Sequence, residues 1–187
     1  MKSTLAITAV IFTIGIVTLP IVWGDSDFSW GEMEEYKHKS TGVAVIDSPL
    51  YKEECGSCHM AYPAGLLPAK SWSKLMSELD NHFGDNAELD AELSRSISEY
   101  LLSNSADKSN YRRSIKFNKS IKSGDVPVRI TATPYFRHKH DEVPDRLVSA
   151  NPKVRSFSQC NACHAKAEQG SFSEHDISIP GYGKWDD

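Results

Sequence analysis

One five-residue pattern, C-x-x-C-H, occurs twice and contains every cysteine of the chain. The first copy runs from Cys55 to His59 and the second from Cys160 to His164. The two thiols of such a pattern can add to the two vinyl groups of one porphyrin, while the histidine that follows can bind its iron. The sequence therefore predicts two covalently bound haem c groups. The predicted attachment residues are Cys55, Cys58, Cys160 and Cys163, and the predicted proximal iron ligands are His59 and His164.

Paired cysteines also occur in thioredoxin-like redox sites and in four-cysteine zinc sites. A redox pair does not require the histidine and belongs to a βαβ pattern, which this sequence does not show. Zinc ribbons usually separate their pairs by about 15–20 residues, whereas Cys58 and Cys160 lie much further apart. Haem attachment is therefore favoured over both alternatives.

A haem iron held by one histidine needs a second axial ligand to become six-coordinate. Leu75, Leu79 and His82 have the spacing of one face of a helix, and we predict a helix over 71–83. His82 is therefore the favoured distal ligand of the first iron. Met76 is the rival ligand, although a methionine in an amphipathic helix more often fills a core.

Two histidines compete for the second iron. His138 and His140 share one face if the chain there is extended and diverge if it is helical. The residues alone leave this choice open. His38 lies in a charged run and is assigned to a linker, and His175 is assigned to surface structure.

Capping and turn residues predict short helices that position both motifs. Pro49 follows a capping serine and predicts the start of a helix that carries the first motif. Pro152 follows an asparagine and predicts the start of a helix that carries the second motif. Asp90 predicts the N-cap of a further helix that ends near Asn104. The loop 62–68 is apolar and suits the edge of a haem.

The segment 106–125 is strongly basic. We favour a solvated connector, and the alternative is a docking patch for an acidic redox partner, because charge complementarity speeds encounter. The same cations could instead neutralise haem propionates. The basic residues are Lys108, Arg112, Arg113, Lys116, Lys119 and Lys122.

The amino end carries no charged residue from Ser3 to Gly24, after a single positive charge at Lys2. This pattern indicates an export signal. The apolar run exceeds the usual length of about 7–15 residues and is long enough as a helix to cross a hydrocarbon core of about 30 Å. It is therefore either a cleaved signal or a retained membrane anchor, and we favour the anchor. In both cases we expect the rest of the chain on the periplasmic side.

The chain has 187 residues, 40 % of them hydrophobic, and a formal net charge of -4. This length suits one domain or two small ones, and the charge gives no sign of nucleic-acid binding. We predict a signal or anchor over 1–24, a linker or strap over 25–47, a first haem domain over 48–105, and a connector with the second haem domain over 106–187.

The residues around both motifs resemble those of a known family, the exported dihaem cytochromes c, called the DHC family. The resemblance covers roughly Leu50 to Pro180, and the string through Pro68 is far more specific than an isolated haem motif. It is carried by Glu54 to Pro63, Gly65 to Pro68, Ser71 and Trp72, Leu79 to Gly84, Arg129 to Pro134, His140, the second motif, and Ile179 with Pro180.

The resemblance implies a mainly α fold, in which a first haem domain similar to a class I cytochrome c precedes a smaller, irregular second haem domain. The hydrophobic segment would add an N-terminal helix to this fold. The resemblance also implies two bis-histidine haems, with His82 opposite His59 and His140 opposite His164. His138 departs from the pattern around the matching segment, so it stays an alternative to His140.

Family resemblance also implies partners, namely a small oxygen-binding c-type cytochrome or a b-type cytochrome in the membrane. Members are commonly soluble after export, so a retained anchor over residues 3–24 would indicate a subunit of a larger membrane complex.

We predict an electron carrier without substrate chemistry of its own, because a six-coordinate iron offers no open position. One alternative is a dihaem peroxidase or reductase with one open haem site. Another is a haem-bearing structural subunit of a membrane complex. The axial ligands of the two irons distinguish the carrier from the enzyme.

Overall fold

The computed structural model describes residues 42–185. The predicted signal or anchor over 1–24 lies outside the described residues, as does His38 with most of the predicted linker. Across the described range, no helix is both long enough and apolar enough to cross a membrane.

Short helices make up most of the regular structure between residues 42 and 185. The α-helices are α1 (Pro49–Gly56), α2 (Ala69–Met76), α3 (Ala91–Ser103), α4 (Arg112–Ser120), α5 (Pro134–Lys139) and α6 (Cys160–Cys163). Single 3-10 turns cover Ala64–Leu66, Leu79–Asn81, Ile130–Ala132, Asp145–Leu147, Ala167–Gln169 and Glu174–Asp176. The prediction of a mainly α fold is confirmed for this range.

One small antiparallel sheet lies near the carboxyl end. It pairs β1 (Ser178–Ile179) with β2 (Gly183–Lys184), so that Ser178 lies opposite Lys184.

Local capping determines where several helices begin. The Ser48 hydroxyl accepts a hydrogen bond from the backbone N–H of Tyr51, and Pro49 occupies the first turn of α1. Asp90 caps α3 by accepting from two backbone N–H groups at 3.0 and 2.9 Å. α3 ends at Ser103, with Asn104 as its C-cap. The predicted helix start at Pro49, the N-cap at Asp90 and the helix end near Asn104 are therefore confirmed, but α1 ends at Gly56 and does not carry the first motif as far as Cys58 and His59.

The predicted helix over 71–83 is wrong in its second half. α2 ends at Met76, and the Ser77 hydroxyl donates to the Lys74 carbonyl at 2.8 Å. Serine side chains compete with the helical backbone for such carbonyl groups. A 3-10 turn over Leu79–Asn81 follows, so His82 comes after this turn and not at the end of a long helix.

The predicted helix after Pro152 is also wrong, because the chain forms turns there and only α6 is helical. Asn151 is 4 % exposed, and its side-chain amide donates to the carbonyl groups of Leu147 and Pro180. Its side-chain oxygen accepts from the Lys153 N–H. The asparagine therefore ties the carboxyl-terminal segment to the fold instead of starting a long helix.

Two apolar clusters form the core of the described residues. The larger contains Trp72, Ile97 and Leu101, and Phe117 of α4 packs into it together with Phe136 of α5. The smaller contains Leu147, Val148, Val154 and Ile179. The prediction of a solvated connector is therefore wrong for α4, because this helix buries Ser114 and Phe117. The predicted boundaries between the haem domains remain a prediction.

Candidate haem sites

His59 and His82 form the first pair of facing imidazoles. Their ring centroids lie 6.3 Å apart, and the ring planes differ by 23°. The Nδ1 atom of His59 lies 2.8 Å from the Met60 carbonyl oxygen. Because a carbonyl can only accept, Nδ1 carries the proton, and Nε2 is left to bind a metal.

A tight turn positions His82. The backbone N–H of His82 donates to the Asp85 carbonyl at 2.7 Å, and the Asp85 N–H donates back at 3.3 Å. The two residues between them, Phe83 and Gly84, have φ angles of 58° and 109°. Positive φ at both central residues is the requirement of a type I′ turn, which glycine meets without strain. This turn lies directly beside the imidazole.

His140 and His164 form the second pair, with ring centroids 6.2 Å apart and an angle of 76° between the planes. The Nδ1 atom of His140 donates to the Phe136 carbonyl at 2.9 Å, so Nε2 is again available. The His140 ring also stacks on the Phe136 ring, with centroids 3.9 Å apart and planes 13° apart. Both contacts hold this imidazole in one orientation.

Burial controls the charge of the second pair. It is the main cause that lowers the pKa of His164 to about 4, and it also lowers the pKa of His140. The positive charge of Arg113 acts in the same direction on both rings. Both imidazoles are therefore neutral at pH 7, which is the form that binds a metal.

Only one of the two competing histidines reaches His164. Residues 134–139 form α5, so His138 and His140 diverge. His138 has a side chain that is 76 % exposed, and its Nδ1 lies 3.7 Å from the Asp141 carboxylate. The structure thus places His140, and not His138, opposite His164.

The other candidate residues lie elsewhere. Met76 is half-buried and packs against the larger core cluster. His175 is exposed in the 3-10 turn Glu174–Asp176, so its assignment to surface structure is confirmed.

The four cysteines form no disulfide bond with one another, so each sulfur is available for covalent attachment. Cys55 lies in the last turn of α1, and Cys58 follows the end of this helix, whereas Cys160 and Cys163 bracket the single turn of α6. Burial raises the pKa of Cys55 and of Cys160 to about 11. Dithiol redox sites and zinc sites use thiolates, and the raised pKa values of Cys55 and Cys160 disfavour the thiolate form. Between residues 42 and 185, moreover, no three His, Cys, Asp or Glu side chains gather to hold a metal ion.

A cavity of about 360 Å³ lies at the second pair. A metal–imidazole bond is about 2 Å long, so two such bonds and the distances from each nitrogen to its ring centre account for the gaps of 6.3 and 6.2 Å. The Nδ1 atom of His164 is buried and has no hydrogen-bond partner within the described residues. The gap at each pair therefore fits one metal ion between two imidazoles, and the cavity gives room for a porphyrin at the second pair. The residues that line the cavity include His140, His164, Cys160, Cys163, Phe157 and Phe172.

A family model for dihaem cytochrome c matches residues 51–172, which is more than half of the chain. The chain belongs to the dihaem cytochrome c family. As a member of this family, the chain has two covalently bound haem c groups and is an electron-transfer haem protein. A search of curated proteins finds no significant match.

Solved structures of dihaem cytochromes c share this fold. A diheme cytochrome c from Shewanella baltica OS155 is 45 % identical in sequence and superposes with a TM-score of 0.63. The alignment covers 76 % of this chain and 100 % of the Shewanella chain. A diheme cytochrome c from Rhodobacter sphaeroides is 46 % identical in sequence and superposes with a TM-score of 0.62. The alignment covers 70 % of this chain and 100 % of the Rhodobacter chain. At this identity the likeness extends beyond the architecture to the sequence.

The main site residue that motif spacing missed in this dihaem cytochrome is Tyr62. Its ring stacks on His59, with centroids 4.8 Å apart, and its hydroxyl donates to the Ser158 carbonyl at 2.8 Å. The Ser158 carbonyl also lies 3.7 Å from the Cys160 sulfur. Tyr62 therefore joins the two haem-binding segments. The apolar loop 62–68 pointed to this region, but nothing local marks a bond to a residue so distant in sequence.

Proposed function

We propose that this chain is an electron carrier in which both haem irons are six-coordinate with two histidine ligands each. The observation that carries the proposal is the presence of two imidazole pairs, each with a gap between the rings that one iron would fill. The proposed ligand pairs are His59 with His82 and His140 with His164, and the proposed attachment residues are Cys55, Cys58, Cys160 and Cys163.

The protein contributes the orientation and the charge state of the imidazoles. Hydrogen bonds from Nδ1 of His59 and of His140 to backbone carbonyls select the tautomer that binds metal and raise the basicity of each ring. Burial keeps His140 and His164 neutral. When bound, each haem supplies a one-electron change at its iron. If both imidazoles of a pair hold the iron, no position on it is left for a substrate.

The spin state of the purified holoprotein tests this proposal. We expect low-spin spectra for both haems and no binding of carbon monoxide in the reduced protein. His82→Ala and His140→Ala should each open one haem to carbon monoxide, whereas His138→Ala should behave as wild type because its side chain is exposed. Binding of carbon monoxide by the wild-type protein would instead support a peroxidase or reductase.

We propose that electrons leave or enter at the second haem, on the side of α4. Arg113 of this helix donates to the Phe172 carbonyl at 3.0 Å, and the Phe172 ring lies 5.4 Å from the ring of His164. The exposed face of α4 is therefore close to the second imidazole pair and suits an acidic redox protein. The exposed cations on this face are Arg112, Lys116 and Lys119.

The proposed partners are a small oxygen-binding c-type cytochrome or a b-type membrane cytochrome, on the periplasmic side. With a purified cytochrome of the first kind, electron exchange should slow as salt concentration rises. Lys116→Glu should slow it further, whereas Lys70→Glu makes the same charge change on α2 and should have little effect. A rate of electron exchange that does not change with salt concentration would contradict the proposed docking face.

A further inference from the structure

Arg129 contacts the turn that presents His82. Its guanidinium carbon lies 3.7 Å from the centroid of the Phe83 ring. Phe83 directly follows His82, and the two rings are 4.8 Å apart. The Phe83 side chain is 45 % exposed, so the guanidinium covers an apolar ring that faces solvent. A cation over an aromatic face is a favourable contact, and arginine makes it most often.

This contact falls on a strained position of the backbone. Phe83 has a φ angle of 58°, in the left-handed region that residues with a side chain seldom adopt. Strain of this kind persists where surrounding contacts hold it and is concentrated at functional sites. Arg129 provides such a contact, and through Phe83 it supports the position of the His82 imidazole.

The charge of Arg129 also lies close to His82, because its guanidinium covers the ring that packs on this imidazole. A positive charge close to an iron ligand disfavours the more positive oxidation state of the iron. Arg129 also lines a surface cavity together with His140 of the second pair.

We propose that Arg129 is a positioning residue of the first haem site, which holds the His82 turn through Phe83 and raises the reduction potential of the first haem. This inference rests on the proposed ligation of the first iron by His82. The step concerned would be the transfer of one electron from a reduced redox partner protein to the ferric haem iron, which becomes ferrous as the partner is oxidised, and no bond to the protein is formed or broken. The positive guanidinium stabilises the product of this step.

Redox titration monitored by electron paramagnetic resonance tests the proposal, because the two ferric haems should give separate signals. In the holoprotein, Arg129→Gln should shift the reduction equilibrium of the first haem about tenfold towards the ferric form. This shift lowers the reduction potential by about 59 mV for one electron. Arg129→Lys keeps the charge and should leave this potential close to that of wild type.

Arg137→Gln is the matched control. Arg137 is exposed and lines the same cavity, but the guanidinium that covers the Phe83 ring is that of Arg129 and not that of Arg137. Its removal changes the net charge equally and should leave the potential of the first haem unchanged. Equal shifts in both glutamine variants would show an effect of net charge alone and overturn the proposal.

The ligation state separates this inference from the proposed function. If wild type and Arg129→Gln both show low-spin bis-histidine signals and equal potentials, the inference about Arg129 is wrong and the proposed function stands. If wild type lacks bis-histidine ligation at the first haem, the proposed function fails and the inference fails with it.

Discussion

The imidazole rings of His140 and His164 are nearly perpendicular, with 76° between their planes, and the Phe136 carbonyl and ring hold His140 in this orientation. The planes of His59 and His82 differ by only 23°. Two parallel imidazoles donate π electrons to the same iron d orbital and so separate it in energy from its partner orbital. Two perpendicular imidazoles act on both d orbitals and leave them nearly equal in energy. We expect two low-spin electron paramagnetic resonance signals, one rhombic from the first haem and one strongly anisotropic from the second.

Phe136→Leu provides the control for this assignment, because it removes the stacked ring from His140 alone. It should change the anisotropic signal and leave the rhombic one as it is. Two identical rhombic signals in the wild-type protein would contradict the ring geometry.

Buried histidines make stability depend on pH. Burial lowers the pKa of His164 from 6.5 to about 4, so the folded protein keeps this ring neutral. On unfolding the ring regains its ordinary pKa, and the unfolded state then binds more protons below pH 6.5. The free energy of unfolding should therefore fall as the pH is lowered below 6.5, because the unfolded state takes up a proton on this ring.

Urea denaturation of the holoprotein at neutral and acidic pH measures this dependence. The pKa values of His140 and His82 are also lowered, so both rings act in the same direction. A free energy of unfolding that stays constant, or that rises in acid, would be inconsistent with neutral buried imidazoles.

The hydroxyl of Tyr62 should stabilise the joint between the two haem segments. Tyr62→Phe keeps the ring that stacks on His59 and removes only the hydrogen bond to Ser158. We expect a loss of about 1 kcal/mol in the free energy of unfolding, with unchanged haem spectra. Tyr182→Phe serves as the control, because its hydroxyl is exposed and lies 3.4 Å from its acceptor. Equal losses in the two variants would argue against a special role for Tyr62.

Gly170 should tolerate alanine poorly. It has a φ angle of 76°, and an added Cβ would collide with the Val43 carbonyl oxygen, in a place where the Val43 N–H donates to the Gly170 carbonyl at 3.0 Å. Gly124 also has a positive φ angle, 95°, but an added Cβ there would meet no atom within 4 Å. Both alanine variants lose roughly 1–2 kcal/mol from the backbone conformation.

Thermal or urea denaturation of the two glycine variants isolates the collision, because the conformational penalty is common to both. Gly170→Ala should lose about 1–3 kcal/mol more than Gly124→Ala, owing to overpacking. If the two variants are equally stable, the contact between residues 43 and 170 is looser than the structure shows.

Patterns confined to a few neighbouring residues predicted structure well, because capping is a local interaction. Asp90 caps α3 through its own next turn, and Pro49 starts α1. The apolar period that runs through Leu75, Leu79 and His82 was a weaker guide, because it continues across the end of α2 at Met76. It nevertheless selected the histidine that faces His59.

The sequence by itself determined the haem chemistry, because two thiols and a histidine at C-x-x-C-H spacing act within one short segment. Only the tertiary structure decided that His140, and not His138, faces His164, and that the planes of this pair are perpendicular. It also decided that Tyr62 bonds to Ser158. These relationships depend on how separate segments pack around a shared core, and no spacing along the chain specifies the distance or angle between side chains that meet only after folding.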